Sequence, residues 1–164
     1  MIRQCTHDDV GDIYEIINDS AQAYKGIIPD DRWHDPYMPL VDLENEIADG
    51  IVFWGIEEAG KLVGVMGIQD KIEVNLIRHA YVKTSLRKKG AGTLLLDHLE
   101  ALDSKPILIG TWAKATWAIK FYQKNGYRLV TREEKNRLLK TYWNIPDRQV
   151  ETSVVLANQN WETP

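Results

Sequence analysis

The chain has 164 residues, a length that favours one domain, spanning residues 1–164, with a core of its own. Its 44% hydrophobic and 27% charged residues are typical of a globular protein in water, and its net charge of −4 argues against nucleic acid or an anionic membrane as the main partner. Cys5 is the only cysteine, which excludes an internal disulfide and an all-cysteine metal site. Because no apolar run resembles a signal-peptide core or a membrane span, we expect a cytoplasmic protein.

The first fifty residues predict one strand and two helices. Residues 2–5 are typical of a short strand, and Thr6-x-x-Asp9 then provides a capping signal. Apolar residues at helical spacing predict a helix over 8–23. Prolines interrupt regular structure across 25–38, and a second helix follows over 39–49, with Gly50 as its stop.

The remaining chain alternates between strands and helices. The apolar runs 51–56 and 62–69 flank a turn-like Glu-Glu-Ala-Gly-Lys and predict an antiparallel hairpin. Further on, the pattern predicts strands over 72–83, 106–109, 127–130 and 152–156, and helices after Gly92, over 114–125 and over 133–142.

The junction between the strand ending at Val82 and the next helix carries the strongest chemical signal. A short basic loop, Arg87-Lys88-Lys89-Gly90-Ala91-Gly92, leads directly into a leucine-rich amphipathic helix. The first turn of a helix has unpaired N–H groups and a partial positive charge, and glycines allow an anion to approach them closely. The junction suits a pyrophosphate. It is neither a P-loop nor a dinucleotide fingerprint, since the required lysine and third glycine are absent.

The order strand, Arg-x-x-Gly-x-Gly, helix resembles the acetyl-CoA-binding segment of the GNAT superfamily of N-acetyltransferases. A second segment about thirty residues later, Ala118-Ile119-Lys120-Phe121-Tyr122-Gln123-Lys124-Asn125-Gly126-Tyr127, is similar to that family's Ala-x-x-Phe/Leu-Tyr-x-x-x-Gly-Phe/Tyr element. The resemblance implies an α/β fold, with a mixed sheet of about seven strands flanked by helices on both faces. It also implies an N-acetyltransferase that uses acetyl-CoA as co-substrate and transfers its acetyl group directly to an amine acceptor.

Carried over residue by residue, the resemblance predicts the cofactor site. Backbone groups of Tyr81 and Val82 would bond the pantetheine amides. The pyrophosphate would lie on the loop and first helical turn, which comprise Arg87, Lys88, Lys89, Gly90, Ala91, Gly92 and Thr93. Tyr122 would lie beside the thioester sulfur.

Acetyl transfer to an amine requires an uncharged nucleophile and a proton for the departing thiolate. A tyrosine, with an ordinary pKa of about 10, can protonate a thiolate whose parent pKa is about 8.5. Tyr122 shares a helical face with Ala115, Ala118 and Ile119, so periodicity alone is equally typical of a core aromatic. The resemblance favours Tyr122 as the general acid over a purely structural role.

The general base is harder to assign. Many GNAT members have a glutamate on the fourth or fifth strand, but the aligned fifth-strand position is Gly110, and the family's frequent asparagine before the next helix is Ala115. The fourth strand offers His79, whose ordinary pKa suits a base, with Glu73 as the alternative. Simple alternation puts Glu73, Asn75, His79 and Tyr81 on one face and Arg78 on the other. A β-bulge would exchange the faces part-way along the strand.

The proline-rich stretch 23–38 would form one wall of the acceptor site in the resembling fold. Tyr24, Trp33 and Tyr37 are candidates to line a pocket. Asp30, Asp31 and Asp35 would either attract a cationic amine or remain solvated surface acids. A small amine, an amino-acid-like compound and a protein N-terminus all fit as acceptor.

Three further expectations complete the sequence-based hypothesis. The four histidines lack metal-ligand spacing, so no metal is expected, and Cys5 is expected to be a small apolar core residue rather than a nucleophile. Trp143 and Trp161 are candidates for a homodimer surface. Because Gly110 and Ala115 depart from the family pattern, the alternative is a CoA-binding sensor or interaction module without turnover.

Overall fold

A computed structural model describes residues 1–83 and 90–163, which form a seven-stranded sheet in the order β1-β2-β3-β4-β5-β7-β6. The strands are β1 (Ile2–Gln4), β2 (Ile51–Glu58), β3 (Lys61–Asp70), β4 (Asn75–Val82), β5 (Ile107–Trp112), β6 (Arg128–Leu129) and β7 (Ser153–Ala157). The β4–β5 pair is parallel and the other pairs are antiparallel. The predicted mixed sheet of about seven strands is confirmed.

Helices cover both faces of this sheet, also as predicted. They are α1 (Val10–Ala21), α2 (Leu40–Ala48), α3 (Ala91–Glu100), α4 (Thr116–Lys124), α5 (Arg132–Tyr142) and α6 (Asp147–Glu151). One apolar core lies under α3 and α4, and two others lie on the opposite face under α1–α2 and α5–α6. Helix α6 was not predicted, because five residues after Pro146 are too few to show a helical period. Among the described residues, no helix is long and apolar enough to cross a membrane.

The first helix begins later than the sequence predicted. His7–Asp9 form a 3₁₀ turn, and α1 proper starts at Val10. The Asp9 carboxylate accepts the Thr6 backbone N–H at 2.7 Å, as the capping signal predicted. It also accepts two bonds from the Arg3 guanidinium, each 2.8 Å long, and these bonds hold its pKa well below the ordinary value. The turn is therefore tied to β1 as well as to α1.

Strand β4 contains a bulge at its centre. Arg78 lies opposite Gly67 and Tyr81 lies opposite Val65, so His79 and Ala80 together face Met66 alone. His79 takes a left-handed backbone conformation with φ of +54°, which is uncommon for a residue other than glycine. The side chains of Arg78 and His79 consequently reach the same residue on α2. The prediction from simple alternation is wrong at this point because of the extra residue, and the alternative of a β-bulge is confirmed.

Strands β4 and β5 separate soon after they meet. They pair only over Asn75–Ile77 and Ile107–Ile109. Beyond that point β4 remains paired with β3 as far as Val82, and β5 remains paired with β7 as far as Trp112. The divergence opens a gap in the middle of the sheet, between residues 78–82 and 110–112.

Candidate active site

Two cavities meet in the gap between β4 and β5. The first, of about 500 Å³, lies against α3 and α4 and is called here the α3–α4 cavity. The second, of about 120 Å³, lies between the diverging strands and is called the β4–β5 cavity. Tyr24, Ala80, Tyr81 and Tyr122 line both of them. A molecule in one cavity can therefore touch a molecule in the other.

The N-terminus of α3 opens into the α3–α4 cavity, which Gly90, Gly92 and Thr93 help to line. The first bond of the helix runs from the Leu94 N–H to the Gly90 carbonyl at 3.1 Å. The amides of the preceding turn thus have no acceptor within the helix, and the positive end of the helix dipole is added to them. This end of the cavity suits an anionic group.

The two glycines at this helix start are required for different reasons. Gly90 has a φ of +79°, so the backbone itself favours glycine, although a Cβ there would meet nothing within 4 Å. At Gly92 a Cβ would lie 3.1 Å from Cζ of Phe121, so a side chain would push α3 away from α4. The sequence argument considered only room for a phosphate, and it missed this contact between helices.

Most of the predicted cofactor residues come together. Tyr81, Val82, Gly90, Gly92 and Thr93 line the α3–α4 cavity, and Ala91 is buried at the start of α3. The Ser20 hydroxyl donates to the Val82 carbonyl at 3.1 Å, which connects α1 to this part of β4. The predicted basic residues Arg87, Lys88 and Lys89 lie outside the described residues.

Tyr122 projects from α4 to the junction of the two cavities and is 7% exposed. Among the described residues no group hydrogen-bonds its hydroxyl. Burial, together with the nearby Tyr24, raises the pKa of Tyr122 well above its ordinary value. The phenol therefore holds its proton at neutral pH and can give it to a strongly basic partner.

The predicted acceptor residues separate into two groups. Tyr24 and Tyr37 line the β4–β5 cavity, whereas Trp33 lies behind Tyr37, with 5.6 Å between ring centroids, and is not part of the lining. Tyr37, Tyr81 and Trp112 all belong to the wall of this cavity. Burial raises the pKa of both tyrosines.

The three aspartates of this stretch do not reach the β4–β5 cavity. Asp30 and Asp31 line a third cavity, of about 480 Å³, and Asp31 pairs with Arg148 at 3.2 Å. Asp35 is exposed. Their positions agree with the interpretation of these residues as surface acids.

His79 lies in the wall of the β4–β5 cavity and pairs with a residue that the sequence argument missed. Its Nε2 is 2.6 Å from Oε2 of Glu46 on α2, and Nη2 of Arg78 is 3.2 Å from Oε1 of the same carboxylate. Burial alone would raise the pKa of Glu46, but His79 and Arg78 lower it overall below its ordinary value. Glu46 borders the apolar face of α2, three residues after the buried Leu43, and this position was the available signal.

The alternative base, Glu73, is not brought to the same place. It is exposed just before β4 and accepts a hydrogen bond from the Tyr142 hydroxyl at 2.7 Å. It lines neither cavity. At about 3.3 Å per residue along a strand, Glu73 is separated from His79 by nearly 20 Å of chain.

The position where relatives often have a glutamate is covered by an indole ring. A Cβ at Gly110 would lie 3.3 Å from Cζ2 of Trp143, so a larger residue there requires the ring to move. Trp143 thus helps to form the β4–β5 cavity. Trp161, the other candidate for a dimer surface, donates its Nε1–H to Glu134 at 2.7 Å and packs on its own chain.

Cys5 lines neither cavity. Burial is the main cause that raises the pKa of its thiol to about 11, which opposes a role as a nucleophile. Across residues 1–83 and 90–163, no group of three or more histidine, cysteine, aspartate or glutamate side chains is arranged to hold a metal ion.

Comparison with known proteins agrees with this geometry. The sequence model of the acetyltransferase (GNAT) domain matches residues 49–129, from the end of α2 to β6. No curated protein sequence matches the chain significantly.

Many solved structures share the fold. One is the PaiA N-acetyltransferase of Thermoplasma acidophilum in complex with coenzyme A, which is 19% identical, with 96% of this chain and 97% of that one covered and a TM-score of 0.73. A GNAT-family acetyltransferase of Staphylococcus aureus is 20% identical, with 96% and 97% covered and a TM-score of 0.69. The ribosomal-protein-S18-alanine N-acetyltransferase of Escherichia coli is 15% identical, with 100% and 96% covered and a TM-score of 0.68. At these identities the structures show the fold, and with the domain match they establish that the chain belongs to the GNAT acetyltransferase family.

Proposed function

We propose that the chain is an N-acetyltransferase that carries an acetyl group from acetyl-CoA directly to an amine acceptor. The observation that supports this most strongly is the junction of the two cavities at Tyr24, Ala80, Tyr81 and Tyr122. A cofactor held in one cavity and an amine held in the other would meet at a buried phenol. Direct transfer needs this arrangement, because both substrates must be bound together.

Acetyl-CoA would lie in the α3–α4 cavity. Its pyrophosphate would bind the amides at the start of α3, with Arg87, Lys88 and Lys89 adding positive charge, and its pantetheine would run along Tyr81 and Val82. The apolar Trp117 and Phe121 on α4 would cover the pantetheine arm. The Thermoplasma acidophilum protein, which has the same fold, is in complex with coenzyme A, and this supports acetyl-CoA as the co-substrate.

The reaction would proceed by attack of the amine nitrogen on the thioester carbonyl carbon. A C–N bond forms, and collapse of the tetrahedral intermediate breaks the C–S bond. The departing thiolate takes the phenolic proton of Tyr122, which solvent later replaces. Burial raises the pKa of Tyr122, so the proton is present at neutral pH. The same burial raises the basicity of the departing thiolate, which offsets the weaker acidity of the phenol.

The proton lost by the amine would pass to His79, directly or through water. His79 belongs to the wall of the β4–β5 cavity, whereas Glu73 does not. Gly110 leaves the fifth strand without a carboxylate, and Trp143 covers that position. His79 is therefore the preferred base among the two residues that the sequence suggested.

The acceptor that fits best is a small monoamine. The β4–β5 cavity has a volume of only about 120 Å³, and aromatic rings of Tyr24, Tyr37, Trp112 and Trp143 form much of its wall. No aspartate or glutamate belongs to the part of that lining which the structure describes. A polyamine, with several positive charges, would lack the carboxylates that such charges require.

Thiol release from acetyl-CoA, measured with a panel of amines, tests the proposal. The panel should contain aliphatic and arylalkyl monoamines, a polyamine and a peptide with a free N-terminus. We expect amine-dependent release, fastest with the small monoamines. If acetyl-CoA binds by calorimetry but no amine gives release, the chain is a binding module, which is the alternative that the sequence left open.

A further inference from the structure

We propose that Glu46 is a positioning residue that fixes the tautomer of His79 and directs its free nitrogen into the acceptor cavity. The inference rests on the proposed function, in which His79 receives the proton of the amine. It adds a residue from α2, an element that contributes no side chain to the lining of either main cavity.

The geometry distinguishes the two nitrogens of the His79 ring. Nε2 is completely buried and lies 2.6 Å from Oε2 of Glu46, a contact close enough for an ion pair but not aligned as a hydrogen bond in this structure. Nδ1 has no hydrogen-bond partner among residues 1–83 and 90–163, and the residue lines the β4–β5 cavity. Stacking on Phe53, with an interplanar angle of 26°, limits rotation of the ring. The ring is therefore held with Nε2 buried against Glu46 and Nδ1 on the side of the β4–β5 cavity.

The charge of Glu46 decides which nitrogen carries the proton. An ionised carboxylate oxygen carries only lone pairs, and a second lone pair on Nε2 at 2.6 Å from it would be repelled, so the neutral imidazole carries its proton on Nε2. The lone pair is then on Nδ1, where a base for the acceptor amine needs it. The left-handed backbone of His79, with φ of +54°, and the bulge around it are what bring the ring to the α2 side.

Arg78 determines how a glutamine at position 46 would be oriented. Its guanidinium can only donate, and it already donates to the other oxygen of Glu46 at 3.2 Å and to Gln69 at 3.3 Å. If Glu46 became glutamine, the amide oxygen would face Arg78 and the amide NH₂ would face His79. The imidazole would then have to accept at Nε2 and carry its proton on Nδ1, which is the wrong tautomer for a base.

Several ionisable groups surround His79. Glu46 approaches from α2 and Arg78 from β4 itself, and the hydroxyls of Tyr37 and Tyr81 lie in the same cavity wall. Both tyrosines remain neutral near pH 7 because burial raises their pKa values. Glu46 is therefore the only anion among these groups. Its charge therefore sets the preferred tautomer of the ring.

The test compares Glu46→Gln with Glu44→Gln, an exposed carboxylate on the same helix. We expect Glu46→Gln to lower kcat about a hundredfold, with the KM for acetyl-CoA unchanged. Glu44→Gln should match the parent protein. The double variant Glu46→Gln/His79→Gln should have the same kcat as His79→Gln alone, since the two residues act through one base.

Nitrogen NMR of the His79 ring supplies a readout that needs no turnover. We expect the proton on Nε2 in the parent protein and on Nδ1 in Glu46→Gln. An unchanged tautomer, or equal rates in the Glu46→Gln and Glu44→Gln variants, would overturn the proposal. If the parent protein releases no thiol with any amine, the proposed function fails, whereas the NMR result still decides whether Glu46 sets the tautomer.

Discussion

The two cavities that meet at Tyr122 are built in contrasting ways. The α3–α4 cavity draws most of its described wall from residues 80–82, 90–93 and 117–124, and uses a helix start for its polar end. The β4–β5 cavity draws on the α1–α2 connection, β4, β5, β7 and the segment around Trp143. One wall is local in sequence and rests on backbone geometry. The other depends on side chains brought together from distant parts of the chain.

This difference indicates which changes affect which substrate. A substitution at the α3–α4 cavity should alter acetyl-CoA binding and leave the amine unaffected. A substitution at the β4–β5 cavity should do the reverse. The chemical step itself should be altered by Tyr122 at the junction and by the pair of His79 and Glu46 behind the wall of the β4–β5 cavity.

Tyr122→Phe should have the largest effect. It keeps the ring but removes the proton donor, so kcat should fall by about 10²–10⁴ while acetyl-CoA affinity by calorimetry changes little. Tyr127→Phe is a matched control, because Tyr127 is also buried but its hydroxyl bonds Glu100 and lines neither cavity. A loss of less than threefold in Tyr122→Phe would mean that Tyr122 only packs.

Gly92→Val should weaken acetyl-CoA binding by about tenfold or more, because a side chain displaces the start of α3 from Phe121 and moves the amides that would bind phosphate. Calorimetry measures the affinity, and Gly11→Val, on an open part of α1, controls for a general cost of valine in a helix. If affinity is unchanged in Gly92→Val, the pyrophosphate does not lie at this helix start.

Gly110→Ala should affect the β4–β5 cavity, and its effect on substrate binding should be smaller than that of Gly92→Val. Its Cβ would press on Trp143, so the KM for the amine should rise roughly threefold to tenfold, as expected for a shift of a few tenths of an ångström in a packed wall. Acetyl-CoA affinity should not change. A combined Gly110→Ala and Trp143→Phe variant, which provides more room, should recover part of the lost affinity for the amine. A rise in the KM for acetyl-CoA instead would contradict the separation of the two walls.

Acid should reduce the contribution of Glu46 to folding, an effect of the order of 1 kcal/mol. Because the folded-state pKa of Glu46 is lowered, its stabilising contribution is present above the unfolded-state pKa and disappears as pH falls through the folded-state value. Urea unfolding of the parent protein and Glu46→Gln should therefore differ more at pH 7 than at pH 3. An equal difference at both pH values would show that the carboxylate charge contributes nothing.

The sequence predicted most of the fold because apolar periodicity and turn residues are local signals. The helix start at Gly90 and the segment ending at Tyr127 were recognised for the same reason. Glu46 and Trp143 were missed as site residues, since their roles depend on contacts with His79 and Gly110 that lie far away in sequence. The bulge at His79 was foreseen only as an alternative, because its position depends on the pairing of β4 with β3.

Each cavity is also lined by an indole ring that the other lacks, and the β4–β5 cavity has a second one, Trp112. Trp117 is 41% exposed and lines only the α3–α4 cavity, while Trp143 lines only the β4–β5 cavity. The difference in intrinsic fluorescence between the parent protein and the Trp117→Phe or Trp143→Phe variant can therefore report on each ligand without a label. Coenzyme A should quench the emission of Trp117, and an amine should shift that of Trp143. The order in which the two substrates bind can then be determined from which of the two emission changes occurs first.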